Sequence, residues 1–183
     1  MKYWFVSDDA YFINSLEWIA EQRYPDSIFI NINKEWCGLN PAPEDIVIIA
    51  VDNNHLRSRL LRLPVLLRAK LFIVVDIPLT ESNSRYHFPC LVSKKKSVRE
   101  FVYLLDNVAC IPPRQCVVPL RALNIFTQLS YGGSISEINA PPKLTTKSVY
   151  RIKRDMLQKY GLNKCNSVGV LICRDILEMS KVI

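Results

Sequence analysis

The run Ile46-Val47-Ile48-Ile49-Ala50-Val51 holds six apolar residues with no polar interruption. A strand with one face in water alternates apolar and polar residues; a strand covered on both faces does not. Covering both faces takes helices, and parallel strands need crossover connections long enough to hold them. The rest of the first half has the same form. Tyr3-Trp4-Phe5-Val6, Ile28-Phe29-Ile30-Asn31-Ile32, Leu71-Phe72-Ile73-Val74-Val75 and Phe88-Pro89-Cys90-Leu91-Val92 read as four further strands. Between them apolar residues recur at helical spacing: Tyr11, Phe12, Leu16 and Ile19; Leu56, Leu60, Leu63 and Leu67; Val98, Phe101, Val102 and Leu105. Five strands alternating with helices predict an α/β domain built on a doubly wound parallel sheet.

Local signals refine this pattern. Ser7-Asp8-Asp9 offers an N-cap for the first helix. Pro64 is expected to kink or shorten the helix that carries Arg57, Arg59, Arg62 and Arg68. No glycine-rich loop follows the first strand, and the chain has only 5 glycines, which argues against a nucleotide cradle. The six cysteines form no C-x-x-C, and only His55 and His87 are available as imidazoles, so a zinc site or a histidine-based triad is poorly supplied. The cysteines are expected to be reduced core thiols. No apolar run reaches the roughly 18–20 residues of a membrane span, and the acidic pair at Asp8-Asp9 is unlike a signal peptide.

The second half differs in kind. The chain carries 24 Lys+Arg and 17 Asp+Glu. Residues 1–113 hold 13 of each, so the whole excess of +7 lies in residues 114–183, where 11 cations face four acids. That asymmetry points to a polyanion partner; the alternative is a solubilising face. Asn107 to Val118, with Pro112-Pro113, reads as a linker, dividing the chain into 1–106, a linker 107–117 and 118–183. The remainder is helical in pattern. Leu120, Leu123, Ile125, Phe126 and Leu129 form an amphipathic stretch ending at Gly132-Gly133. Ser134 and Glu137 have capping-box spacing for a short helix that Pro141-Pro142 must end. Thr145 or Thr146 caps the next helix, which stops at Gly161. A last helix is expected from about Ser167 to Met179, with Val168, Leu171, Ile172, Ile176 and Leu177 inward.

The helix after Thr145 has the sharpest pattern. At 100° per residue, Val149, Ile152, Met156 and Tyr160 share one face, and Lys147, Tyr150, Arg151, Arg154 and Gln158 occupy about a third of the other. An apolar face that docks and a cationic face that projects is what a groove-reading helix requires. Arg151 and Arg154 carry the fork that matches guanine O6/N7 or grips a phosphate. Tyr150 can stack, touch a thymine methyl or bond a phosphate. Lys143, Lys147 and Lys153 suit the phosphate backbone. The alternative is an ordinary solvated amphipathic helix.

Two resemblances attach to these residues. In order and length the first half resembles a response-regulator receiver, which implies a flavodoxin-like fold. Receivers carry a metal-binding acidic pair after strand one, matched by Asp8 and Asp9, and a lysine ending strand five, matched by Lys94 in LVSKKKSVREF. Their phosphoacceptor aspartate ends strand three, where this chain has Ala50, with Asp52 two residues on. Without the resemblance, Asp8-Asp9 reads equally as a helix cap and Lys94-Lys95-Lys96 as a solvated strand end. From Val118 to Val168 the chain resembles the LuxR/NarL-type helix–turn–helix through Gly132-Gly133-Ser134, Glu137-Ile138, Thr145, Ser148-Val149 and Tyr160-Gly161-Leu162. That family's base-contacting positions fall on Tyr150, Arg151 and Arg154, and Thr145 and Ser148 at the helix start are further expected DNA contacts. The resemblance implies a bacterial transcription regulator of the cytoplasm and nucleoid. Such a protein is expected to bind double-stranded DNA as a homodimer, or as a heterodimer with another LuxR-type protein, without phosphorylation of its first half. No cofactor, resident metal or enzymatic activity is expected. Two alternatives stay open: an adaptor whose basic helices meet an acidic protein, and a receiver still switchable through Asp52.

Overall fold

A computed structural model describes residues 1–34, 38–80, 88–111, 119–135, 138, 145–165 and 167–179. Five strands form one sheet: β1 (Tyr3–Ser7), β2 (Ser27–Asn31), β3 (Ile46–Ala50), β4 (Lys70–Val75) and β5 (Cys90–Ser93). All pairings are parallel and the order is β2-β1-β3-β4-β5. This is the flavodoxin-like doubly wound order, with its switch point between β1 and β3. Alternate residues explain the continuous apolar runs. Tyr3, Phe5, Ile46, Ile48, Phe72 and Val74 share a core with Leu16 and Ala20 of α1 (Ala10–Arg23) and with Leu105 and Val108 of α3 (Val98–Ala109). The intervening Trp4, Val6, Val47, Ile49, Leu71 and Ile73 are buried too, as only a sheet covered on both sides allows.

The helices depart from the sequence pattern at their ends. In α1, Tyr11 and Trp18 are exposed, because the face that meets the sheet is set by Ile13, Leu16 and Ala20. The run from Leu56 to Leu67 is split: α2 (Asn54–Leu61) stops, and Pro64–Leu67 forms a 3₁₀ turn with the proline at its start, where a missing N–H costs nothing. Helix α3 continues to Ala109, three residues into the segment expected to be linker, because Val108 is buried in the sheet core. The rest of that segment, from Pro112, lies outside the described residues.

The chain divides into two compact units, Met1–Asp76 with Tyr86–Gln115, and Ile77–Arg85 with Cys116–Ile183. The stretch after β4, placed by its sequence within 1–106, therefore clusters with the second unit. Its contacts there are specific: the Thr80 N–H donates to Gly161 O at 2.8 Å, the Asn163 side-chain amide to Thr80 Oγ1 at 3.4 Å, and the Cys165 thiol to Pro78 O at 3.4 Å. The described helices of this unit are α4 (Leu120–Ser130), α5 (Thr146–Lys159) and α6 (Ser167–Met179). Leu120 is exposed at the first turn of α4; Ala122, Leu123, Ile125 and Phe126 form its buried face. Gly132 after α4 and Gly161 after α5 have positive φ, so each helix ends on the residue type that tolerates it.

Candidate functional site

Helix α5 begins at the expected cap. Thr145 Oγ1 accepts the Ser148 N–H at 3.2 Å and shares a 2.9 Å hydrogen bond with the Ser148 hydroxyl. The Thr145 and Ser148 side chains thus fix the helix start. Val149 packs in a small core with Ile125 of α4 and with Ile138, against which Ile135 and Ile152 also rest. Met156, Leu157 and Tyr160 continue the buried side. Leu157, at the margin of the cationic stripe, is buried although the sequence pattern does not place it on the apolar face.

The opposite face is solvent-exposed: Lys147, Tyr150, Arg151, Arg154 and Gln158 are all open, and Tyr150 is one of the few large aromatic side chains left in water. Lys153 lies beside the stripe and is half-buried. At 1.5 Å per residue the stripe from Lys147 to Gln158 is about 16 Å long. Asp155 borders it, with its carboxylate 3.6 Å from the Arg154 guanidinium. Both groups are exposed, so this pair is weak and the guanidinium can leave it at little cost. Lys143, Glu137 and Pro141-Pro142 lie outside the described residues, and with them most of the short helix expected before Thr145.

The receiver-like landmarks gather at the carboxyl ends of β1, β3 and β5. Ser7 Oγ donates to Ala50 O at 2.7 Å, tying β1 to the end of β3, and accepts the Asp9 N–H. The Asp8 carboxylate accepts the N–H groups of Asp52 (3.2 Å) and Asn53 (3.0 Å). The Asn53 side chain in turn caps α2. The Asp9 carboxylate caps α1 through the N–H groups of Tyr11 and Phe12. The acidic pair is therefore committed to backbone amides, unlike the open oxygen set that a divalent cation takes. Among the described residues no group of three His, Cys, Asp or Glu is placed to hold a metal ion. Ala50, where the resemblance puts a phosphoacceptor, is a buried methyl. Lys94 Nζ instead meets Asp52 Oδ2 at 2.7 Å. That hydrogen bond, aided by the charges of Asp52, Asp9 and Asp76, raises the lysine above its ordinary pKa and keeps it protonated.

The Lys94–Asp52 pair joins residues expected from the sequence as separate remnants. The Ser7 tie to Ala50, the Asn53 cap and the amide-clamping role of Asp8 were not legible. An acid after the first strand looks the same in sequence whether it binds a cation or a loop.

No family model matches this chain, and no curated protein matches it. Solved structures similar to it include two of RcsB. One is RcsB from Salmonella enterica serovar Typhimurium bound to promoter rprA in the presence of phosphomimetic BeF3−. It has a TM-score of 0.43 and 11% identity, over 95% of this chain and 98% of that one. The other contains two RcsB dimers bound to two parallel DNAs. It has a TM-score of 0.41 and 11% identity, over 94% and 97%.

Proposed function

We propose that this chain is a DNA-binding transcription regulator whose α5 enters the major groove. The observation that carries this reading is the division of α5: one side is packed on Ile125 and Ile138, and the other presents Lys147, Tyr150, Arg151 and Arg154 to solvent. The charge distribution supports it, since the excess of +7 lies wholly in residues 114–183. In this reading Arg151 and Arg154 read base edges, and Tyr150 contacts a base or the backbone. Lys143, Lys147 and Lys153 contact phosphates, while Thr145 and Ser148 fix the helix start. One such module buries little surface, so paired half-sites and two copies, or a second regulator, complete a specific complex.

The test is binding-site selection from random duplexes with the full chain, followed by affinity measurement on the recovered site. Arg151→Ala or Arg154→Ala is expected to cost about 1–3 kcal/mol and to relax the preference at one position. Unchanged affinity and preference in the double variant would sink the assignment of α5. Binding to acidic proteins with no salt-dependent DNA shift would favour the adaptor reading.

In the same proposal the first unit acts by assembly and not through a phosphoryl switch, because the strand-end position is Ala50 and Asp8 is occupied by the Asp52 and Asn53 amides. One observation favours a second reading: Asp52 is exposed and its carboxylate is held by Lys94. Acetyl phosphate or beryllofluoride with magnesium distinguishes the two. A change in DNA affinity that Asp52→Ala abolishes assigns Asp52 as the acceptor; no response leaves the phosphorylation-independent reading standing.

A further inference from the structure

A cavity of about 80 Å³ opens in the first unit between α1 and α3. Its walls are apolar: Phe12, Leu16 and Ile19 from one helix, Phe101, Val102 and Leu105 from the other, with Phe5 and Val74 of the sheet beneath. Its polar lining is confined to two ends. At one end stands Tyr24, whose hydroxyl is already committed to Asp106 at 2.8 Å. At the other stand Ser93, Lys94 and Lys96, where β5 hands over to α3. Lys94 and Lys96 keep 31% and 42% of their side-chain surface exposed, so this end is the mouth.

We propose that this cavity binds a small monocarboxylate with a short branched apolar tail, its head at Lys96 and Lys94. Size limits the tail: a water needs roughly 10–15 Å³ of such space, so about five heavy atoms fit. Polarity selects a hydrocarbon for the interior, where Leu, Ile, Val and Phe offer no hydrogen-bonding group. Charge selects an anion for the mouth. Among the described residues Lys96 is paired only loosely: Glu100 Oε1 is 4.0 Å away, while Glu100 Oε2 is held by the Ser97 N–H and hydroxyl in the capping box of α3. The N-terminus of α3 adds its dipole at the same rim. Lys94 is shared with Asp52, so an occupant of the mouth competes with that carboxylate and bears on the crevice at β3. This inference stands on the first unit alone and is independent of DNA binding.

The experiment is a titration of the full chain with isovalerate, isovaleramide and isobutylamine, followed by backbone amide NMR and thermal melting. Isovalerate is expected to saturate, moving the amides of Ser93–Val98, Phe101 and Val102, with a smaller change at Asp52. Lys96→Met, which leaves the core untouched, is expected to weaken it about tenfold or more. Val102→Phe, which fills the cavity, abolishes binding while its circular dichroism stays native. Isovaleramide binds at least tenfold more weakly, and isobutylamine not at all. The proposal is overturned by non-saturating isovalerate shifts, by shifts confined elsewhere in the chain, by equal binding of acid and amide, or by unchanged affinity in folded Lys96→Met.

Discussion

Asp45 illustrates how much one buried side chain holds. It lies in front of β3 and is 4% exposed. Its carboxylate accepts the Lys2 N–H at 2.7 Å, the Trp4 indole N–H at 3.0 Å and the Ala42 N–H at 2.9 Å. Burial by itself pushes this carboxyl up; these three donors outweigh it and hold the group below the usual aspartate range. A folded pKa below the unfolded one contributes stability that is full above the unfolded value of about 3.9 and fades as pH falls through the folded value. Asp45→Asn is accordingly expected to cost roughly 2 kcal/mol at neutral pH. The gap to the parent protein should close below about pH 4. Urea melts at pH 7 and pH 3 check this; a gap that widens in acid contradicts it.

At the scale of elements, α6 shows two local rules in conflict. Gly169 sits inside the helix, where alanine ordinarily gains about 1 kcal/mol over glycine. A Cβ at this position would lie 2.4 Å from the Cβ of Cys165, on the turn that follows α5. Neither atom is the end of a flexible side chain, so the turn must move, and overpacking of this kind costs about 1–3 kcal/mol. The cost exceeds the gain, so Gly169→Ala is expected to destabilise the protein by about 1 kcal/mol, read as a lowered Tm of a few degrees. A raised Tm would show that the turn yields freely. On α5, Asp155 stands at the margin of the cationic stripe. Under the DNA-binding reading, Asp155→Asn removes a repulsion from phosphate and is expected to tighten binding several-fold at low salt.

For the whole molecule, charge and fold are partitioned together. The sheet unit carries the balanced part of the sequence and the helical unit most of the cationic excess. If the polyanion partner is DNA, the salt dependence belongs to the second unit. Lys153→Gln should then reduce the slope of log K against log salt by about 0.9, and Lys95→Gln should leave it unchanged. Equal effects would place the first unit on the polyanion too.

Much of this was legible in the chain itself. Continuous apolar runs require a sheet covered on both faces, so the parallel α/β domain follows from residues such as Ile46 to Val51. The 3.6-residue period fixes which side of α5 is apolar, and Thr145 and Gly161 mark its ends. These are local properties, encoded over a few residues. The tertiary structure decided what depends on residues distant in sequence. It set Asp8 against the amides of Asp52 and Asn53 rather than leaving it open, and brought Lys94 to Asp52 across 42 positions. It drew Pro78 and Thr80 to the turn after α5 and left an apolar cavity between α1 and α3. Periodicity says which face of an element is buried, but a carboxylate's partner and a cavity's shape are set by where other elements come to rest, and no local pattern records that.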